Sequence, residues 1–274
     1  MSDGFFTSAA PDDYQPPNID ISVAHQARVY DYWLGGKDNF AADREVGDKA
    51  VQAYPDLAVA ARANRAFLGR AVRFLAAEAG IRQFLDIGTG IPSENNTHEV
   101  AQGVAPQSRI VYVDNDPIVL AHARALLTSI PEGRTAYLDA DANDPDAILA
   151  RAAETLDFSQ PVAITLLLIL HVIKDPYALT SRLVDAVPPG SYLAISVPAS
   201  DIQPEAYAEA ARRLNEGVPG VTAAHRGHAE VTRFFDGLEL LEPGVVPVNY
   251  WRPGPGGPDP ARELAAYAAI GWKR

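Results

Sequence analysis

Residues 83–92 read Gln83-Phe84-Leu85-Asp86-Ile87-Gly88-Thr89-Gly90-Ile91-Pro92. An apolar run ends on an acid, and a Gly-x-Gly turn follows without a gap. Glycine has no Cβ and tolerates positive φ, so such a junction lets main chain approach a ligand closely. The stretch reads as the first nucleotide-type loop of a doubly wound α/β fold, in which ligands sit at the carboxyl ends of the strands.

The chain on either side supports that fold. Downstream, strands are predicted at residues 83–87, 109–113, 135–138, 162–170 and 192–197. They alternate with helices at 94–105, 118–129, 144–156 and 177–187. Strand alternating with helix implies a parallel sheet with right-handed crossovers. The run 162–170 is apolar throughout, as expected of a central strand covered on both faces. Beyond it come a helix at 204–216, a loop at 217–228 and a helix beginning at 231. A sixth strand at 238–248 is broken near Pro243-Gly244, 252–260 is a loop, and a last strand covers 267–273. Upstream, three helices are expected. One starts at Ser22 and stops at Gly35-Gly36, one is capped by Asp38 or Asn39, and one is capped by Asp56. The organisation predicted is a loosely attached tail (1–17), a helical extension and lid (18–80) and an α/β core (81–274).

Composition bounds the function. The 274 residues carry a net charge of −12, which argues against a large nucleic-acid footprint. The chain has no cysteine, so disulfides and thiolate metal sites are excluded. His25, His98, His122, His225 and His228 show no metal-ligand spacing; His225 and His228, on the expected loop, could form a weak site with Glu230 or simply be solvated, and no G-x-S-x-G is present. Residues 1–17 lack Lys and Arg, and the apolar run 162–170 is too short to span a bilayer. A cytoplasmic protein is expected.

Three consecutive strand ends carry acids: Asp86, Asp114 and Asp141. A dinucleotide fingerprint reads G-x-G-x-x-G, with an acid about 20 residues later. Here Ser93 stands in place of the third glycine and Asp114 comes 26 residues after Gly88. Both details disfavour a nicotinamide cofactor. S-adenosylmethionine fits better. Its ribose diol suits the Asp114 carboxylate, its adenine amine suits Asp141, with Asp139 and Asp144 as competitors, and its cationic methionine end suits Asp86.

Resemblance points the same way. The carrying stretches run from Ala27 to Phe40 (ARVYDYWLGGKDNF), Arg62 to Leu68 (RANRAFL) and Phe84 to Pro92. Asn96 to Val100 (NTHEV), Val111 to Pro117 (VYVDNDP) and Arg233 to Leu240 (RFFDGLEL) complete the set. On these the chain resembles class I S-adenosylmethionine-dependent methyltransferases, and more closely a bacterial family named S-adenosyl methyltransferase. The resemblance implies a Rossmann-like, seven-stranded, mostly parallel sheet with the last strand antiparallel. It implies that Gly88, Thr89 and Gly90 line the methionine portion. Asp114 with Asn115 would hold the ribose, and Asp141-Ala142 would flank the adenine. Methyl transfer to a small-molecule acceptor is the expected activity. A cofactor-binding protein without transfer activity is the alternative.

Five further positions stand out. Tyr32 and Lys37 lie in a Gly-rich, aromatic segment (32–40) that reads as a lid over the cofactor or as plain helix caps. Asn64 falls on the apolar stripe of its helix, so it needs a buried partner, either the backbone of the glycine loop or a local structural bond; Arg65 beside it could reach the cofactor carboxylate. His171 ends the central strand, where it could serve as a base, or cap the strand, or stack on the cofactor.

Overall fold

The structure, a computed structural model, describes residues 20–126, 129–219, 223–254 and 262–274. The expected tail at 1–17, the end of the helix at 118–129, part of the loop at 217–228 and most of 252–260 lie outside the described residues.

Three helices come first: α1 (Gln26–Leu34), α2 (Ala41–Ala53) and α3 (Leu57–Ala77). Strands and helices then alternate as β1 (Gln83–Ile87), α4 (Thr97–Val104), β2 (Arg109–Asp114), α5 (Pro117–Leu126), β3 (Arg134–Asp139), α6 (Pro145–Ala152), β4 (Ala163–Leu167), α7 (Pro176–Asp185) and β5 (Tyr192–Pro198). The chain closes with α8 (Pro204–Gly217), α9 (His228–Thr232), a 3-10 turn at Arg233–Phe235, β6 (Glu239–Leu240), β7 (Val246–Pro247) and β8 (Ala266–Trp272).

The strand order is β3-β2-β1-β4-β5-β8-β6, with β7 also paired to β8. The first five strands are mutually parallel, and β8 runs antiparallel to β5. The order reverses between β1 and β4, which opens a crevice above their carboxyl ends. Eight strands are described instead of seven because the expected sixth strand is two short ones. Pro243-Gly244, with Gly244 at φ +83, interrupts it, and each half pairs with β8.

Strand side chains alternate in direction, so each strand feeds two cores. Leu85, Ile87, Val111, Val113, Ile164 and Leu166 pack on one face with Ile148, Leu183 and Val231. Phe84, Ile110, Tyr112, Ala163 and Ala194 pack on the other with Phe67, Ala71, Leu75 and Trp251. Asp86, Thr165 and Ser196 belong by alternation to this second face, beneath α3 and α4.

α1 begins at Gln26 with His25 as its N-cap, four residues later than the sequence suggested. Residues 20–25 run extended or in turns because Arg28 collects their carbonyls: its guanidinium donates to Asp20 O and Val23 O. Arg28 Nε also donates to Asp43 Oδ1 at 3.0 Å, and both side chains are buried. Asp43 in turn accepts from His25 N and Phe40 N, each at 2.8 Å. The start of α2 is therefore held by Asp43 from inside the helix, and neither Asp38 nor Asn39 caps it. Asn39 is turned inward, where its Nδ2 donates to Asp31 Oδ2 at 2.8 Å. α3 also lacks a side-chain cap, because Asp56 is paired with Arg262.

Removing one member of a buried ion pair strands the other. Arg28→Met is expected to lower unfolding free energy by about 3 kcal/mol in urea denaturation. A loss below about 1 kcal/mol would mean that the amides around Asp43 suffice without the guanidinium.

Candidate functional site

A cavity of about 420 Å³ occupies the crevice above the strand ends, with α1 laid across it. That volume lies within the range of small-molecule sites. Gln26, Tyr30 and Trp33, spaced three and four residues apart, form the face of α1 turned toward it.

The Gly-x-Gly turn lines one wall, and both glycines have positive φ, +75 at Gly88 and +68 at Gly90. Their surroundings differ. A Cβ on Gly88 would come within 2.6 Å of Ile169, whereas one on Gly90 would meet nothing within 4 Å. Gly88 serves close packing of the β1 and β4 loops, and Gly90 leaves open space. Gly90 N donates to Asp114 Oδ2 at 2.9 Å, and Asp116 N donates to Asp114 Oδ1 at 3.0 Å. Burial raises the pKa of Asp114, while these amides act in the opposite direction.

Asp86 lies deeper. Its Oδ2 accepts from Thr97 Oγ1 at 2.6 Å and its Oδ1 from Thr165 Oγ1 at 2.8 Å. Burial raises its pKa, with the two hydroxyls and the Arg65 charge opposing. The carboxylate thus ties β1 to the first turn of α4 and to β4 while it borders the cavity.

α3 supplies Asn64 and Arg65. Arg65 reaches across to the loop after the glycines, donating to Glu94 O, Ser93 O and Asn96 Oδ1. Its Nη1 has no hydrogen-bond partner among the described residues. Asn64 Nδ2 donates to Tyr30 Oη at 2.9 Å, and its Oδ1 accepts from Ser196 Oγ at 2.6 Å. Tyr30 Oη donates onward to Ala61 O. Asn64 therefore links α1 to β5 through a run of satisfied buried bonds. It does not bond the glycine loop.

His171 is buried at the cavity edge, and its Nε2 faces Gln26 Nε2 at 3.0 Å. Burial, aided by the charges of His225 and Arg226, depresses its pKa to about 3. The ring is neutral at pH 7 and a weak base. As the acceptor of the Gln26 amide proton it carries its own proton on Nδ1, which has no partner. These properties fit a docking point for α1 better than the base expected from its position.

Asp86, Gly88, Thr89, Gly90, Asp114, Asn115, Asn64, Arg65 and His171 all line the cavity. Four other expected residues do not. Tyr32 sits on the opposite side of α1, where its hydroxyl donates to Asp48 at 2.7 Å and its ring covers Gly47 of α2. Lys37 is exposed. Asp141 is also exposed, with Oδ1 accepting from Asn143 N and Nδ2. Ala142 packs against the apolar core. The cover over the cavity is α1 itself, and segment 35–40 is a connector folded around Asp31.

Some lining and supporting residues had been overlooked. Thr165 and Ser196 are polar residues inside apolar strands, a signal present in the sequence. Gln26 and Tyr207 carry no such signal, because helix packing brings them in, and His225 arrives on the loop after α8. His225 and His228 do not act together: His225 packs edge-on to Tyr207, and the His228 ring contacts Val245 O.

The sequence family described as S-adenosyl methyltransferase matches residues 12–274. The chain belongs to this family. A DUF574 family protein from Streptomyces avermitilis is similar at 47% identity, with a TM-score of 0.89 over 93% of this chain and 100% of its own. A candidate methyltransferase from Thermobifida fusca is 44% identical, with a TM-score of 0.84 over 96% and 99%. The plantazolicin methyltransferase BamL, solved with S-adenosylhomocysteine and a desmethyl substrate analogue, shares the fold at 10% identity and a TM-score of 0.53, over 90% of this chain and 95% of its own. Among proteins of curated function, none matches the chain. The S-adenosyl methyltransferase family, the Rossmann-like fold and the cavity at the switch point agree: the protein is a methyltransferase whose methyl donor is S-adenosylmethionine. No helix among the described residues is long and apolar enough to cross a membrane.

The depressed pKa of His171 has a measurable consequence. The unfolded chain takes up this proton near pH 6.5 and the folded one only near pH 3, so stability falls as pH drops through that window. His171→Leu is expected to lose less stability between pH 7 and pH 4.5 than the parent, read as urea midpoints. Equal losses would mean that His171 titrates normally in the folded protein.

Proposed function

We propose that the glycine wall of the cavity binds S-adenosylmethionine for transfer of its methyl group to a small-molecule acceptor. The observation that carries this reading is Asp114. Its carboxylate is fixed by two amides at the lip of the cavity, yet each oxygen keeps a lone pair for a further donor. A vicinal diol fits that arrangement, so Asp114 is the ribose ligand, with the exposed Asn115 beside it.

The remaining residues fit the other parts of the donor. Gly90, open where a Cβ would stand, and Gly88 accommodate the methionine portion. Arg65 Nη1 offers a charged donor to its carboxylate, and Asp86 offsets its positive charge from below. The donor, when bound, supplies an activated methyl group on a sulfonium. The protein's part is alignment and exclusion of water beneath α1, which suits an in-line displacement. The acceptor is small because α1 covers the cavity, and the net charge of −12 disfavours a nucleic acid.

Calorimetry with S-adenosylmethionine and with NAD tests the cofactor; binding of NAD alone would overturn the assignment. Asp114→Ala is expected to weaken S-adenosylmethionine binding by about 1–3 kcal/mol, the cost of losing a charge-assisted hydrogen bond. Unchanged affinity would remove Asp114 from the site. Production of S-adenosylhomocysteine from a panel of small metabolites distinguishes a transferase from a protein that only binds the donor.

A further inference from the structure

The charged side chains that line the cavity are gathered at one end. Arg65, Asp86, Asp114 and Asp116, with His25, come from α3, the ends of β1 and β2, and the residue preceding α1. The other end is walled by the ends of β4 and β5, the start of β8, α8 and residues 223–225. It presents no charged side chain among the described residues. Leu57, Val172, Leu214 and Val218 make its apolar surface, and the Trp33 ring borders it.

Polar groups without structural employment face this second end. Tyr207 is 8% exposed, yet its hydroxyl makes no hydrogen bond among the described residues. Its ring stands edge-on to His225, with centroids 5.1 Å apart. The His225 nitrogens are likewise without hydrogen bonds among the described residues. Burial first, and the Arg226 charge second, lower the pKa of this imidazole, so it is neutral at pH 7. Asn215 Oδ1 accepts from Ala223 N at 3.5 Å, and its Nδ2 has no partner described. These atoms are not fully enclosed by protein, and an apolar pocket with a few convergent polar groups is the ordinary form of a small-molecule site.

We propose that the methyl acceptor is an uncharged aromatic small molecule, packed among Trp33, Tyr207 and His225, with a heteroatom that hydrogen-bonds to Tyr207 and His225. This rests on the methyltransferase reading above. A charged acceptor would lose its hydration there and find no countercharge among the side chains that line this end. A flat ring instead extends the edge-to-face contacts already present. The acceptor heteroatom supplies the electron pair of the new bond to carbon. The electrons of the broken carbon–sulfur bond stay on sulfur, and the acceptor's proton is released to water.

The test uses the full chain saturated with S-adenosylhomocysteine and titrated by calorimetry with three molecules of similar shape: naphthol, naphthoate and naphthylmethylammonium. Naphthol is expected to bind at least about tenfold more tightly than either ion. Tyr207→Phe and His225→Ala are each expected to weaken naphthol binding about fivefold or more. Both should leave S-adenosylhomocysteine affinity unchanged, which also shows that the variants are folded. Equal or tighter binding of an ion, binding of none of the three, or unaltered naphthol affinity in both variants overturns the acceptor assignment alone. Failure of the parent protein to bind S-adenosylhomocysteine overturns the cofactor reading beneath it.

Discussion

The site depends on a buried carboxylate. Asp86, next to last in β1, lies on the sheet face covered by α3 and α4, where an ionised acid without partners would be strongly unfavourable. Two hydroxyls meet it, one from the first turn of α4 and one from the neighbouring strand β4. Each of those bonds fixes an element that the glycine turn needs. α4 cannot drift from the turn while Thr97 is bound, and the β4 end stays in register with β1 through Thr165. Ile169, just beyond, then packs so closely over Gly88 that a Cβ has no room there.

A second set of polar contacts brings the cover into place. α1 is fastened from behind by Arg28 and Asp43, and from the cavity side by Tyr30 and Asn64. At its N-terminal end, His25 Nδ1 lies 2.9 Å from Asp116 Oδ2. Burial alone would raise the pKa of Asp116, but the bonds from His25 and the Ile118 amide outweigh it and hold the acid below its ordinary range. Gln26 meets His171 at the far side. The cover is thus attached by directional bonds at several points. Its burial of apolar surface is modest, since Arg28 and Asp31 sit among its buried residues.

The sheet was readable in the chain because its causes are local. A short apolar run bounded by turn residues becomes a strand almost wherever it stands, and β1 falls on the predicted residues 83–87. The glycine turn and the acids at the ends of β1 and β2 follow from the same alternation, so Asp86, Gly88, Gly90 and Asp114 were identifiable. The readings that shifted concern side-chain direction. Tyr32 and Lys37 share a motif with residues of the cover, yet the turn of about 100° per helical residue puts Tyr32 on the far side of α1, and Lys37 falls in the exposed connector after the helix ends. Asp141 lies two residues beyond the end of β3, where Asp139 is the residue in register with Asp114 of β2, and its carboxylate is taken by Asn143 in its own turn. Nothing in the spacing foretold that local competition.

By itself, then, the sequence determined the doubly wound sheet, the glycine turn that lines the cavity and the family to which the chain belongs. Strand periodicity and glycine stereochemistry act over a few residues, and these features need nothing more. Tertiary structure alone decided which residues meet across the cavity. Tyr207, His225 and Trp33 lie far apart in the chain, in elements whose patterns signal only helix or loop. Their meeting depends on how α8 and α1 pack over the strand ends. Packing is a property of the whole fold, and so the end of the cavity assigned to the acceptor appears only when the chain is folded.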